Sequence, residues 1–180
     1  DNVDAIRMAL KTAATEHDAI ITSGGVSVGE EDHVKSAVET LGSLHLWRLA
    51  VKPGRPVALG QVQNIPFIGL PGNPTAAMVT FLRFARPLIL LLSGATMVDP
   101  LMVKVSAGFS HKKKEGRREW VRVSIKPGSE LPTAKKFPRQ GAGVLSSMVA
   151  SDGLVELPED MTEVKTGTIV DFIPFSEVGV

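Results

Sequence analysis

"ITSGGVSVGEED", residues 21–32, joins a short apolar run to a turn rich in glycine and serine, and then to three consecutive carboxylates. The run "DAIIT" (18–22) is β-branched, apolar and closed by glycine, which fits a buried parallel strand. Beyond the turn, Val34, Ala37, Val38 and Leu41 recur at helical spacing, and Gly42 supplies a C-terminal stop. A glycine turn between the carboxyl end of a parallel strand and a helix start is where α/β proteins bind phosphate. Glycine lets the backbone approach a ligand, and the free N–H groups and dipole of the helix start favour an anion. Ser23 and Ser27 add hydroxyl donors around Gly24, Gly25 and Gly29. The spacing is neither G-x-G-x-x-G nor a P-loop, and no lysine follows the glycines, so a plain tight turn and an anion cradle both remain open. Acids in the first helical turn complement the dipole, which accounts for Glu30 and Glu31 as solvated side chains. A carboxylate beside a bound phosphate repels it unless a cation intervenes, which makes Asp32 the candidate ligand for Mg²⁺.

Working outward, Ile6, Ala9, Leu10 and Ala13 form one apolar stripe and predict a helix over 3–16. "LHLWRLAV" (44–51) reads as a strand and "KPGRP" as the turn after it. "VALGQV" and "PFIGL" are two more strands around a polar turn, and "PGNP" (71–74) precedes a long helix with Met78, Phe81, Leu82 and Ala85 on one face. This alternation predicts an α/β layer with a mostly parallel sheet. From about Pro100 the helical period disappears. "LMVKVSAGFS", "EWVRVSIK", "GLVELP" and "TIVDFIPF" are strand-like, so the second half is expected to be a small all-β domain, barrel or sandwich. The division is placed at 1–97 and 98–180. The chain opens on a helix and gives the α/β half only about four strands, so that half is expected to be N-terminally incomplete.

Two further loops carry charge or rigidity. In "RLAVKPGRP", Arg48 and Lys52 are four residues apart and would share one face of a strand, and Lys52 and Arg55 flank a Pro-Gly turn. Cations gathered at the same sheet edge as the glycine turn would suit an oxyanion or polyphosphate. In "GLPGNP", Pro71 and Pro74 fix a turn in which Gly72 and Asn73 can take positive φ, which fits either a helix cap or a ligand wall. "HKKKEGRREWVR" (111–122) reads first as a solvated hairpin tip and second as a nucleic-acid contact.

Composition limits the alternatives. The 180 residues are 43 % hydrophobic with a net charge of +1, so an anion site has to be local rather than a property of the whole surface. Aromatic residues make up 5 % and tyrosine is absent, which argues against a base-stacking platform; neither nucleic acid nor membrane is expected as a partner. There is no cysteine, which excludes disulfides, thiolate catalysis and cysteine-ligated metals and suits a cytoplasmic location. The opening residues lack the basic head and apolar core of a secretory leader. The most apolar stretch, 84–94, is too short for a bilayer span and is interrupted by Arg86 and Pro87. His17, His33, His45 and His111 show no metal-ligand spacing.

"SGGVSVGEED", "LAVKPGRP" and "GLPGNP", in this order and spacing, resemble the molybdopterin molybdenumtransferase family, the MoeA proteins and their gephyrin-like relatives. "EGRREWVRV" is similar to that family's GRxEF strand, and "QGAGVLSSMVASDGLVELP" to its C-terminal domain. The resemblance implies a three-layer, MogA-like α/β domain followed by a β domain. It also implies insertion of molybdate into adenylylated molybdopterin with release of AMP, assisted by Mg²⁺. By the same resemblance the Gly24–Gly29 loop meets the nucleotide and phosphates, and Asp32 holds the metal. Lys52, Arg55 and Arg117 form the molybdate pocket, Arg48 stands where many members carry Lys, and Pro71–Pro74 wall the pocket. Asp1 would correspond to an acid near the metal. Ala142 departs from relatives with serine there, removing a hydroxyl. The family is dimeric and has domains upstream, so the chain is expected to be a C-terminal part of such an enzyme, with a molybdopterin adenylyltransferase as a possible partner. Two alternatives are carried: a non-catalytic molybdopterin-binding or scaffold module, and molybdopterin adenylylation itself.

Overall fold

The computed structural model describes residues 2–25 and 33–178. The chain divides into two compact units, Asp1–Leu49 with Gly54–Val98, and Ala50–Pro53 with Asp99–Val180.

The first unit begins with α1 (Val3–Glu16), where Asn2 Oδ1 accepts the Asp4 amide at 2.9 Å and so satisfies a donor that the first helical turn leaves unpaired. It continues through β1 (Ile20–Ser23), α2 (His33–Leu41) and β2 (Gly42–Arg48); β3 (Val51–Lys52) belongs to the second unit, and β4 (Pro56–Val62) and β5 (Ile65–Leu70) complete the sheet, in the order β1-β5-β4-β2. Only β1 and β5 run parallel; β5 with β4 and β4 with β2 are antiparallel. The sheet is therefore mixed, against the expectation of a mostly parallel one. The cause lies at Gln63 and Asn64, whose φ values of 49° and 71° make a two-residue turn that returns the chain directly alongside itself.

Alternation along β5 sends neighbouring side chains to opposite faces. Phe67, with Ala58 and Val62, packs on Leu10 of α1 and on Ala37 and Val38 of α2. Ile68 and Leu70 pack on Ala85, Ala77 and Leu88 of the helix that follows. That helix runs from Pro74 to Leu92 as α3 (Pro74–Thr80), a π-helical turn (Phe81–Ala85) and α4 (Arg86–Leu92). The wider turn comes just before Pro87, whose ring cannot donate and would crowd the carbonyl four residues back. At 19 residues, with mean hydropathy 1.6 over an 18-residue window, it is long and apolar enough to cross a bilayer by length and composition, more than residues 84–94 alone indicated. Thr75, Ala76, Val79, Leu82 and Ala85 are buried, which makes one side of it part of this unit's core.

The second unit contains β3, β6 (Val103–Ala107), β7 (His111–Lys112), β8 (Arg118–Lys126), β9 (Thr133–Lys136), α5 (Ser146–Val149), β10 (Gly153–Leu157), β11 (Glu163–Val164), β12 (Ile169–Pro174) and a 3₁₀ turn (Phe175–Val178). Strands β10, β12, β6, β9 and β8 pair in that order, and β10 pairs again with β8, which closes a five-stranded barrel. The barrel is filled by Val105, Val121, Val123, Val155, Leu157, Val170 and Phe172. Closure removes the unpaired edges that an open sheet of this size would present. The basic run 111–122 is solvated only in part: Lys112, Lys114, Glu115 and Gly116 are exposed, while its other cations are tied to the barrel unit. Lys113 Nζ donates to the carbonyls of Glu159 and Met161, Arg118 pairs with Glu156 and Glu159, and Arg122 is 1 % exposed.

Candidate functional site

In the first unit, the parallel register Ser23↔Leu70 makes the loops after β1 and β5 leave the sheet at the same edge. They are tied together there. The Gly24 amide donates to Leu70 O at 3.0 Å, and Ser23 Oγ donates to Pro71 O at 3.3 Å. Gly24 and Gly25 have φ of 82° and 68°, a conformation that side chains oppose. The backbones nearly touch, since a Cβ on Gly72 would lie 3.5 Å from Gly24 Cα. Asn73 is the N-cap of α3 and Pro74 opens it; Pro71 is buried, while Gly72, Asn73 and Pro74 are exposed. Ser27, Gly29 and Asp32, and Asp1 with them, lie outside the described residues. Arg48, opposite Pro56 at the end of β2, and Arg55, whose carbonyl accepts the Leu49 amide at 2.9 Å, are both exposed. The expectation that Arg48 and Lys52 share a strand face is overturned. β2 ends at Arg48 after register shifts, and the chain re-enters extended structure at Val51 in a different sheet.

In the second unit, β3 pairs in parallel with β8 and sets Lys52 opposite Glu119. Glu119 is 2 % exposed, and three basic side chains converge on it. His111 Nε2 lies 2.9 Å from Oε2, and Lys52 Nζ lies 3.6 Å from the same oxygen. Arg117 donates to Oε1 through Nε at 2.9 Å and, more closely, through Nη2. Burial alone would raise the carboxyl's pKa. The hydrogen bonds from His111 and Arg117 and the charges of Lys52 and Arg117 outweigh it and hold the group below its ordinary value, so it is an anion at neutral pH.

Lys52, His111 and Glu119 line one small crevice with Arg122 and Gln140. Arg122 donates through Nε to Ser147 Oγ at 3.0 Å and through Nη2 to Gly141 O at 3.1 Å. Gln140 reciprocates: its Oε1 accepts the Arg122 amide, and its Nε2 donates to Arg122 O and Phe137 O. These bonds hold the Gln140–Gly143 loop that contains Ala142. Burial pushes the Arg122 guanidinium down to about 10, which leaves it charged at neutral pH. Neither Ser147 Oγ nor Gly141 O is a carboxylate oxygen, so among the described residues the guanidinium's hydrogen bonds go to neutral oxygens.

Of the sequence candidates, the structure thus draws Lys52 and Arg117 onto one carboxylate, and Ser23, Gly24, Pro71 and Gly72 onto one sheet edge. Sequence reading missed Glu119 and His111. The signal for Glu119 was its position two residues before Val121 and four before Val123, both core positions of β8.

Residues 1–90 match the family model described as a probable molybdopterin binding domain, and residues 104–175 match the MoeA C-terminal region, domain IV. The chain belongs to the MoeA family of molybdopterin-binding domains. The MoeA C-terminal match contains His111, Arg117, Glu119 and the Gln140–Gly143 loop. Among curated relatives, the chain is 35 % identical over 181 residues to a molybdopterin molybdenumtransferase of Haemophilus influenzae, covering 99 % of this chain and 45 % of that protein. It is 33 % identical over 177 residues to one from Nostoc, covering 93 % of this chain and 40 % of that protein. The chain thus spans less than half the length of these relatives. Among solved structures, a molybdopterin biosynthesis MoeA protein from Pyrococcus horikoshii superposes with TM-score 0.79 at 25 % identity, over 97 % of this chain and 41 % of the other. A molybdenum cofactor biosynthesis protein from Pyrococcus furiosus gives TM-score 0.77 at 26 % identity, over 97 % and 55 %.

Proposed function

We propose that this chain serves molybdenum cofactor biosynthesis as part of a molybdopterin molybdenumtransferase, which inserts molybdate into adenylylated molybdopterin and releases AMP. The observation that carries the reading is the convergence of Lys52 and Arg117 on Glu119 within the MoeA-type unit. Two cations held side by side, each partly exposed, suit a tetrahedral oxyanion. The glycine turn at Gly24–Gly25, tied to the Pro71–Pro74 loop at one sheet edge, supports the nucleotide and phosphate half of the reading. In this proposal Ser23, Gly24, Gly25, Ser27 and Gly29 meet the adenylate. Lys52, Arg55 and Arg117 meet molybdate, Arg48 adds positive charge, and Pro71, Gly72, Asn73 and Pro74 form the wall.

Among the described residues no three His, Asp or Glu side chains gather to hold a metal. Mg²⁺ does not need such a cage, because it binds through one or two carboxylates together with substrate phosphates and water. Asp32 is the carboxylate proposed to hold it, and the ion would screen the charge of the phosphoanhydride. The same proposal places the enzyme in the cytoplasm, as a homodimer that receives its adenylate from a molybdopterin adenylyltransferase. The three-layer, MogA-like description of the α/β half belongs here too, supported by helices packed on both faces of the sheet.

The test is molybdate-dependent release of AMP from molybdopterin adenylate by the full-length protein. Release that is lost in Asp32→Asn supports the assignment. No release by the wild type, or release unaffected by Asp32→Asn, defeats it.

A further inference from the structure

Glu119 poses an electrostatic problem for the proposed oxyanion site. A carboxylate beside a site for a dianion repels the ligand, and that repulsion grows as water is excluded. Yet Glu119 is 2 % exposed and is held as an anion by the very cations assigned to molybdate. Its two oxygens divide the task. Oε1 takes Arg117 through Nε and Nη2, and Oε2 takes His111 at 2.9 Å and Lys52 at 3.6 Å.

This arrangement leaves capacity for a ligand. A guanidinium has five N–H donors in a rigid fork, and Arg117 turns one edge of the fork to Oε1, leaving Nη1 uncommitted among the described residues. An ammonium has three donors, and Lys52 directs one side toward Oε2. Their side chains are 29 % and 44 % exposed, so both reach from the buried carboxylate to solvent. Long Lys and Arg side chains lose much rotamer freedom when a ligand fixes them, and fixing them beforehand removes that cost from binding.

We propose that Glu119 is a positioning residue of the oxyanion site: buried behind Lys52 and Arg117, it fixes both cations with their free donors turned outward, and it acts on the ligand only through them. The inference rests on the molybdate reading. It extends that reading by assigning a role to an anion inside a site for anions, with His111 as the hydrogen-bonding backstop to Oε2.

The two physical effects have opposite signs, and this makes the inference testable. If Glu119 acted on the ligand mainly by its charge, removing the charge would tighten binding. If it acts by positioning, removal weakens binding. The experiment is calorimetric titration of tungstate, as the probe, into the full-length wild type, Glu119→Gln, Glu119→Asp, Lys52→Ala and the Glu119→Gln/Lys52→Ala double variant at fixed ionic strength, with thermal melts in parallel. Glu119→Gln is expected to weaken binding about tenfold. Glu119→Asp keeps the charge on a shorter stem and is expected to weaken it less. The double variant is expected to lose less than the sum of the two single losses, because Lys52 is one of the two cations through which Glu119 acts and Arg117 is the other. A purely structural role would lower the melting temperature and leave affinity unchanged. Equal or tighter binding by Glu119→Gln, or additive losses in the double variant, overturns the inference while the molybdate reading stands. If Glu119→Gln does not fold, an unchanged affinity in Glu119→Asp overturns it instead. A wild type that binds no tungstate defeats both together.

Discussion

His111 Nε2 lies 2.9 Å from Oε2 of Glu119, a carboxylate with 2 % of its surface exposed. The pair links the short strand β7 to the barrel strand β8. The pKa of Glu119 is lowered in the folded protein, so its ionised form contributes stability that is present above the ordinary value of 4.5 and is lost as pH falls through the lower folded value. Urea unfolding from pH 7 down to pH 3 should therefore show wild-type stability falling steeply at the acid end. Glu119→Gln should start lower and fall less steeply. Parallel profiles for the two proteins would show that Glu119 does not titrate with folding.

Arg117 and Lys52 differ in what a substitution removes. Arg117 presents a planar fork to Glu119, which lysine cannot reproduce. Arg117→Lys is expected to recover only part of the tungstate affinity lost in Arg117→Ala, a loss of about 1.5–3 kcal/mol if one charge-assisted hydrogen bond to the ligand goes. Full recovery by lysine would mean that charge alone is read at this position.

Arg122 anchors the Gln140–Gly143 loop through Ser147 Oγ and Gly141 O. Arg122→Leu leaves those two oxygens short of a donor, while the Gln140 bonds, which run to the backbone of residue 122, are kept, and it is expected to cost about 2–4 kcal/mol by chemical denaturation. Amide hydrogen exchange should rise first in residues 140–148. Arg122→Lys should not restore protection, because one ammonium cannot span both acceptors as the fork does.

Gly54 separates conformational strain from steric conflict. Its φ is 101°, and a Cβ there would stand 2.2 Å from Thr80 Cγ2 in the same unit. Gly94 has φ of 88° with nothing within 4 Å. Gly54→Ala is expected to destabilise by about 2–4 kcal/mol and Gly94→Ala by about 1–2 kcal/mol, the difference being the clash. Equal losses in urea midpoint would mean that Thr80 moves aside without cost.

The helices were legible because their signal is local. Ile6, Leu10 and Ala13 of α1, and Val34, Ala37, Val38 and Leu41 of α2, face the core as their spacing predicts, while Ala9 is exposed. The glycine turn and the Pro-Gly-Asn-Pro turn were legible as loops, and their meeting at one edge followed from β1 and β5 being parallel. Strand direction was harder to read. Gln63-Asn64 adopts positive φ without the glycine that usually announces such a turn, so the β4–β5 hairpin looked like two strands of a parallel sheet. The transfer of Val51–Lys52 to the second unit depends on pairing with Arg118–Glu119, 67 residues away in the register Val51↔Arg118, and no local pattern encodes that distance. For the same reason the basic run was read as solvated. Lys113 and Arg118 find their partners at residues 156–161, across the barrel unit.

The most direct measurement is a crystal structure of the full-length protein soaked in tungstate, with the metal located by its anomalous signal. The oxyanion is expected within hydrogen-bond reach of Lys52 Nζ and the Arg117 guanidinium, on the side of both groups facing away from Glu119. Tungstate bound elsewhere, with those two cations still paired to Glu119 and untouched by ligand, would contradict the assignment of the oxyanion site.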